Sequence, residues 1–202
     1  MFLNDGERMR VLVTGVAGFI GSSVARKLVA DGHSVLGIDC FLENLYPKEQ
    51  KQLQWNSLSG INNIELIELD LRGSVPDSIF EGIDSVINEA GMPGLMNSWD
   101  DFETYVSCNL NVTEKIASSV MKHKIPRFVQ ISTSSVYGEN ATGDESSPTL
   151  PVSPYGVTKL AAEELLRAYA RTHGLQSTIL RYFSVYGPGQ RPDMAYNKII
   201  NS

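Results

Sequence analysis

Residues 11–39 read VLVTGVAGFIGSSVARKLVADGHSVLGID, and this stretch decides the fold. An apolar run ends at Thr14, and three glycines follow at intervals of three residues. An amphipathic pattern then leads to a second apolar run that stops at Asp39. The apolar positions between the two runs recur at helical spacing. The order of strand, helix and strand predicts one βαβ unit.

The same alternation continues along the chain after a polar stretch from about 41 to 63. Further apolar runs and long helical patterns occupy 63–69, 84–90, 102–123, 126–132, 154–173 and 177–183. Strands that are apolar on both faces suit a parallel sheet covered by helices on each side. We therefore predict one α/β domain over 1–202, with a Rossmann-like doubly wound parallel sheet of strand order 3-2-1-4-5-6.

Composition limits the class of protein. The 202 residues are 42% hydrophobic and 20% charged, as expected of one folded domain. The net charge of −6 argues against a nucleic-acid or membrane surface, since both need clustered lysine and arginine. No apolar run reaches the roughly 20 residues of a membrane span, and the N-terminus lacks a signal-peptide core. We expect a cytoplasmic protein with no nucleic-acid, membrane or metal partner.

The glycine triplet has the features of a phosphate-binding turn. Gly15 permits a tight turn out of the strand, Gly18 lets the backbone approach a pyrophosphate, and Gly21 lets the helix pack near the sheet. The N-terminus of the helix adds a partial positive charge. We predict that this turn, together with Phe19 and Ile20, binds the pyrophosphate of a dinucleotide. A purely structural glycine turn is the alternative.

Two acids at strand ends extend this prediction. Asp39 follows Gly21 by 18 residues, close to the spacing of about 20 for the acid that accepts the two ribose hydroxyls of adenosine. The same carboxylate repels a 2′-phosphate, so the pattern favours NAD over NADP. Asp70 and Leu71 end the third strand, where the adenine ring is expected. A strand-end aspartate without a ligand is the alternative for Asp70.

A second motif carries reaction chemistry. Tyr155 and Lys159 occur in SPYGVTKLAAEELL, and a helix places them one turn apart on the same face. A free tyrosine has a pKa of about 10 and is a poor base at neutral pH. An ammonium about 4 Å away lowers this pKa by about three at an effective dielectric constant of about 20. An ordinary surface pair on a helix is the alternative.

The glycine spacing and the Tyr155–Lys159 pair resemble those of the extended short-chain dehydrogenases/reductases. This resemblance implies that Thr133, in ISTSSVYGE, hydrogen-bonds the reacting oxygen and completes a catalytic set with Tyr155 and Lys159. It also assigns Ser134 to the substrate. Related nucleotide-sugar 4,6-dehydratases carry an acid pair where this chain has Ser134 and Ser135. Dehydration is disfavoured because elimination of water needs a general acid and base.

Two further segments narrow the resemblance. Residues 92–109 and 180–200 resemble NAD-dependent nucleotide-sugar 4-epimerases, especially those acting on UDP-glucose and UDP-glucuronate. The resemblance implies cofactor contacts from Ala90, Tyr182 and Phe183, and substrate contacts from Ser184 and Arg191. A guanidinium suits a carboxylate or phosphate, and an exposed loop arginine is the alternative.

Three places depart from that family. Asn88-Glu89-Ala90-Gly91 replaces its usual His-Leu-Ala-Ala, Gly189 stands where arginine is common, and Leu95-Met96 replaces a Val-Arg pair. Glu89 therefore brings an acid to the wall of the predicted cofactor site. The other two changes remove cations that would grip a phosphate or carboxylate.

The resemblance implies a reaction. Tyr155 would remove the proton of the sugar C4 hydroxyl while NAD takes the C4 hydride, and the 4-keto sugar would be reduced again on its other face. A UDP-sugar decarboxylase or reductase of the same superfamily, and a non-catalytic NAD-binding module, are the alternatives. The resemblance also implies a homodimer through helices 102–123 and 154–173. We expect a C-terminal substrate lobe that is largely missing from the 202 residues.

Overall fold

A computed structural model describes residues 8–43, 47–191 and 194–200 of the protein. Its strands form one six-stranded sheet in the order β3-β2-β1-β4-β5-β6, with every neighbouring pair parallel. The strands are β1 (Arg10–Thr14), β2 (Ser34–Asp39), β3 (Ile64–Glu68), β4 (Ser85–Asn88), β5 (Arg127–Thr133) and β6 (Ser177–Tyr182). The predicted fold class and strand order are confirmed.

Helices connect and cover the strands. They are α1 (Phe19–Ala30), α2 (Lys48–Ser59), α3 (Asn97–Asp100), α4 (Phe102–Tyr105), α5 (Val112–Lys122), α6 (Pro154–His173) and α7 (Ala195–Ile200). The predicted helix over 102–123 consists of α4 and α5 joined by a π-helical segment, Val106–Asn111. None of the helices in the described ranges is long and apolar enough to cross a membrane.

The sheet is buried on both faces, which explains the unbroken apolar runs in the sequence. Leu12 lies beside Leu36 and Val86 in register, and Val86 lies beside Phe128. These four side chains belong to the core that α5 and α6 cover. Val11 and its alternating neighbours belong to the core on the α1 side. Helices therefore exclude water from both faces.

The carboxyl ends of the strands form one edge of the sheet. Five strands end there on Thr14, Asp39, Asn88, Thr133 and Tyr182. β1 pairs with β2 on one side and β4 on the other, so the chain turns in opposite directions on either side of β1. Parallel sheets bind ligands at such a reversal, outside the carboxyl ends of the strands.

A buried ion pair fixes α6 against the sheet. The side chain of Glu163 has no exposed area and accepts hydrogen bonds from Arg181 Nη2 at 2.7 Å and Arg167 Nη2 at 2.8 Å. Ser132 at the end of β5 donates a further hydrogen bond to it. Burial raises the pKa of Glu163, but the hydrogen bonds from Arg181 and Ser132 outweigh burial, so the pKa lies below its usual value.

Replacing Glu163 with glutamine is expected to lower the free energy of unfolding by about 3 kcal/mol, because two arginines lose their buried partner. Glu164→Gln is the matched control, since the Glu164 side chain is 57% exposed. Because the pKa of Glu163 is lowered in the folded state, its contribution is present at neutral pH and is lost under acid. Urea denaturation of both variants measures the difference. Equal midpoints would contradict this role of Glu163.

Candidate active site

A cavity of about 330 Å³ opens along the carboxyl edge of the sheet. It brings together most of the residues that the sequence predicts to be functional, from both motifs and from distant parts of the chain. These are Gly15, Gly18, Phe19, Ile20, Gly21, Asp39, Asp70, Leu71, Ala90, Thr133, Tyr155, Lys159, Tyr182, Phe183 and Arg191. Within the described residues, no group of three or more histidine, cysteine or acidic side chains could hold a metal ion.

The glycine turn forms one part of the cavity wall. Gly15 has a φ of +66°, and a Cβ there would lie 2.9 Å from the backbone N of Ala90. The amide of Gly18 donates to the carbonyl of Gly15 at 3.0 Å, which closes the turn. Gly18 precedes α1 without a side-chain cap. A helix start without a capping side chain suits an anion, because its first amides lack partners within the helix.

Asp39 braces the glycine turn from the end of β2. Its carboxylate accepts hydrogen bonds from the amide of Ala17 at 3.1 Å and from the amide of Phe41 at 2.9 Å. Lys51 Nζ of α2 lies 3.4 Å from Asp39 Oδ1 and also lines the cavity. Lys51 is not predictable from the sequence in this way, because the polar stretch that contains it has no helical pattern.

Asp70 is held as an anion beside the end of β3. Arg72 donates to it through Nε at 3.0 Å and through Nη2 at 2.6 Å. This pairing, more than the opposing effect of burial, holds the pKa of Asp70 below its usual range. Leu71, which lies between Asp70 and Arg72 in the sequence, is buried and lines the cavity. Their predicted contact with adenine stays a prediction.

The predicted catalytic side chains lie together on the other side of the turn. The Ser153 hydroxyl accepts a hydrogen bond from the amide of Gly156 at 3.1 Å, and this cap begins α6 at Pro154. Tyr155 therefore lies in the first helical turn. The side chain of Thr133, the last residue of β5, lies close enough to the Tyr155 hydroxyl to lower the pKa of Tyr155 against burial. Lys159 follows one turn later and is 5% exposed.

The electrostatics at Tyr155 differ from the prediction. Burial raises the pKa of Tyr155 above its ordinary value, and the effects that oppose burial are the nearby Thr133 side chain and the charge of Arg191. The prediction that Lys159 lowers the pKa of Tyr155 below its ordinary value is therefore wrong for the protein without a bound ligand. Burial also lowers the pKa of Lys159, to about 8, against the charges of Glu89 and Glu163. Desolvation outweighs the charge pair that the helical spacing predicts.

Comparisons with known proteins identify the family. A model of the NAD dependent epimerase/dehydratase family matches residues 11–202. The chain belongs to this family. It is 40% identical over 195 residues to a Bacillus subtilis protein named as an uncharacterized UDP-glucose epimerase, YtcB, covering 95% of this chain and 61% of that one. It is 34% identical to a UDP-glucuronate 4-epimerase of Thermodesulfobacterium geofontis, covering 94% of this chain and 60% of the relative.

Solved structures of NAD-bound UDP-sugar enzymes also match this chain over most of its length. The crystal structure of the Bacillus cereus UDP-glucuronic acid 4-epimerase, in complex with UDP-glucuronic acid and NAD, matches with a TM-score of 0.90 and 40% identity. The match covers 95% of this chain and 62% of that one. MoeE5 in complex with UDP-glucose and NAD matches with a TM-score of 0.80 and 35% identity, over 95% and 60% of the two chains. The chain thus spans about 60% of the length of the curated relatives above.

Within this family fold, Glu89 occupies the cavity wall after β4. Its Oε1 accepts a hydrogen bond from the Tyr182 hydroxyl at 3.2 Å. Burial raises the pKa of Glu89 to about 7, although the Tyr182 hydrogen bond and the charge of Lys159 oppose this shift. Sequence reasoning identified Glu89 only as a departure from the family pattern.

Asn109 is a positioning residue that sequence reasoning missed. Its Oδ1 accepts from the amide of Met92 at 2.7 Å, and its Nδ2 donates to the Met92 carbonyl at 3.1 Å and to Thr158 Oγ1 at 3.1 Å. Asn109 thereby ties the loop after β4 to α6, the helix that carries Tyr155 and Lys159. The only signal in the sequence is an amide within a predicted helix, which is too common to single it out.

Two predicted substrate residues lie outside the cavity wall. Ser134 is half-buried and begins the 3₁₀ turn that follows β5, and Ser184 is exposed after β6. Neither is among the described residues that line the cavity. Arg191 does line it and acts electrostatically on both Tyr155 and Tyr105. The substrate roles of all three stay predictions.

Proposed function

We propose that the protein is an NAD-dependent UDP-sugar 4-epimerase. The observation that carries this proposal is that the glycine turn and the set Thr133, Tyr155 and Lys159 line the same cavity. A dinucleotide bound at the turn would have its reactive ring within reach of the tyrosine. The Bacillus cereus relative, whose structure contains UDP-glucuronic acid and NAD, supports both the cofactor and the substrate class.

The residues of the cavity fit NAD. A Cβ at Gly15 would collide with the backbone of Ala90, so only glycine leaves the turn free for a pyrophosphate. Asp39 offers a buried carboxylate at the end of β2, where the ribose hydroxyls of adenosine are expected. The same charge disfavours a 2′-phosphate, although Lys51 reduces this effect. When bound, NAD supplies the hydride acceptor for C4 of the sugar and returns the hydride.

Residues of this chain remove and return the proton of the C4 hydroxyl. Tyr155, as the phenolate, takes the proton of the C4 hydroxyl and becomes a neutral phenol, with the Thr133 side chain close to the tyrosine oxygen. Lys159, with a pKa of about 8, is mainly protonated at neutral pH, and its charge favours the phenolate that must exist before the C4 proton is taken. Because the tyrosine is desolvated, each nearby cation has a larger effect on it than in water. The same groups return the proton when the 4-keto sugar is reduced.

The anionic part of the substrate is assigned to Arg191. Arg191 lines the cavity, and its charge opposes the rise that burial causes in the pKa of Tyr155. A planar guanidinium binds a carboxylate or phosphate with two parallel hydrogen bonds. UDP-glucuronate, which carries both groups, is therefore the first substrate to test.

Incubation with UDP-glucuronate and NAD⁺, followed by proton NMR, tests the proposed function. We expect the C4 epimer to appear until the two sugars reach equilibrium, with no net formation of NADH. A pentose product with release of CO₂ would instead indicate a decarboxylase, and accumulated NADH a net oxidoreductase. Binding of NAD⁺ without any product from UDP-glucuronate or UDP-glucose would support a non-catalytic NAD-binding module.

We also propose a homodimer through 102–123 and 154–173. Phe102 is 49% exposed at the start of the first segment, and Val157 is 46% exposed near the start of the second. Apolar side chains at these positions suit a helical interface. Light scattering at several protein concentrations separates a dimer from a monomer.

A further inference from the structure

The charges on the cavity wall divide into two groups. The first group consists of two ion pairs. Lys51 pairs with Asp39 at the end of β2, and Arg72 pairs with Asp70 just after β3. The remaining charged residues of the described wall are Glu89, Lys159 and Arg191. Glu89 is therefore the one carboxylate of the described cavity wall that accompanies two cations near Tyr155.

The geometry places Glu89 at this reacting end. Its carboxylate accepts the hydrogen bond from Tyr182, the last residue of β6, so the side chain reaches from the end of β4 towards β6. A Cβ at Gly91 would lie 3.6 Å from Lys159 Nζ, which shows that the lysine head packs against the segment that Glu89 begins. Tyr182 of β6 thus holds the acid through a hydrogen bond, and Lys159 of α6 acts on it through its charge.

We propose that Glu89 is a positioning residue that makes the cavity select the oxidised dinucleotide over the reduced one. This inference rests on the proposed function, because it requires a nicotinamide ring near Tyr155. The oxidised ring carries a positive charge and the reduced ring is neutral. Lys159 and Arg191 both repel the oxidised form, and the carboxylate of Glu89 offsets that repulsion.

The expected size of the effect follows from electrostatics. A unit charge about 10 Å from the ring, at an effective dielectric constant of about 20, changes the ratio of the two affinities roughly tenfold. An epimerase needs its cofactor oxidised at the start of every cycle. A carboxylate that favours the oxidised form keeps the enzyme ready for the next substrate after each hydride return.

Glu89 also makes this preference depend on pH. The groups that act on Glu89 are Tyr182 from β6 and Lys159 from α6, and Glu163 acts in turn on Lys159. Burial raises the pKa of Glu89 to about 7, so the carboxylate is mainly protonated below that pH and mainly charged above it. The preference for NAD⁺ is therefore expected to increase as the pH rises through this value, with release of a proton on binding.

Calorimetric titration of the full chain with NAD⁺ and with NADH tests the proposal. We expect Glu89→Gln to reduce the ratio of NAD⁺ affinity to NADH affinity roughly tenfold at about pH 7.5, and to change it little at about pH 6. Glu89→Asp, which keeps the charge, should restore most of the ratio. Tyr182→Phe removes the hydrogen bond and keeps the carboxylate, so it should retain more of the preference than Glu89→Gln.

The outcomes separate this inference from the proposed function. Wild-type protein that binds neither nucleotide would overturn both. Protein that binds both nucleotides, with the same affinity ratio and the same pH response in Glu89→Gln, would overturn only the role of Glu89. Should Glu89→Gln fail to fold, the wild-type ratio between about pH 6 and about pH 7.5 still decides, since a constant ratio contradicts the proposal.

Discussion

Tyr155→Phe is expected to lower the rate of UDP-sugar epimerisation roughly a thousandfold while leaving NAD⁺ affinity nearly unchanged. The substitution removes only the tyrosine hydroxyl, which lies close to Thr133 and is the group proposed to take the C4 proton. The ring keeps its edge-on contact with Tyr105, at 6.2 Å between centroids, so the cavity wall keeps its shape. The measurements are the initial rate by NMR and the NAD⁺ affinity by calorimetry.

Tyr105→Phe is the matched control for this variant. Tyr105 is buried, and its hydroxyl donates to the carbonyl of Pro93 at 2.7 Å. Its loss should cost about 1 kcal/mol of stability and leave the rate within about threefold of the wild type. The proposed role of Tyr155 is wrong if its variant retains a rate comparable to that of Tyr105→Phe.

Gly21→Ala is expected to destabilise the domain by about 4 kcal/mol and to lower NAD⁺ affinity at least about a hundredfold. A Cβ at this position would lie 2.2 Å from the carbonyl oxygen of Gly15. The backbone of α1 fixes the position of this Cβ, and the carbonyl oxygen belongs to the backbone of the turn, so α1 must move away or the turn must open. Either movement disturbs the amides that are expected to meet the pyrophosphate.

Gly60→Ala serves as its control, because no atom lies within 4 Å of a Cβ placed there and the backbone φ is −94°. The measurements are the thermal midpoint and the calorimetric affinity of each variant. We expect the control to match the wild type in both. If Gly21→Ala also matches it, then α1 does not need the close approach to β1 that the fold shows.

Much of the fold is predictable because its signals are local. Each strand is a short apolar run, and each is followed by a helical pattern or a turn, so the βαβ rules leave few possible strand orders. The helix α2 is the exception. Its sequence, KEQKQLQWNSLS, buries only Leu58 fully, with partial packing from Trp55, and so lacks the apolar stripe that marks a helix. Lys51 remained unassigned for the same reason.

The site is predictable where a residue type and a spacing are tied to one role. Gly15, Tyr155 and Lys159 are of this kind, and all three line the cavity. The pKa of Tyr155 could not be predicted, because it depends on burial and on Arg191, which is distant in sequence. The contacts of Asn109 could not be predicted either, because its partners lie in a loop and in another helix that are distant in sequence.

A crystal structure of the protein with bound NAD⁺ tests the central claim most directly. The account predicts that the pyrophosphate lies on the glycine turn, that the adenosine ribose lies at Asp39, and that the nicotinamide ring lies beside the Tyr155 hydroxyl. A dinucleotide bound elsewhere, or bound at the turn with its nicotinamide directed away from Tyr155 and Lys159, would contradict it.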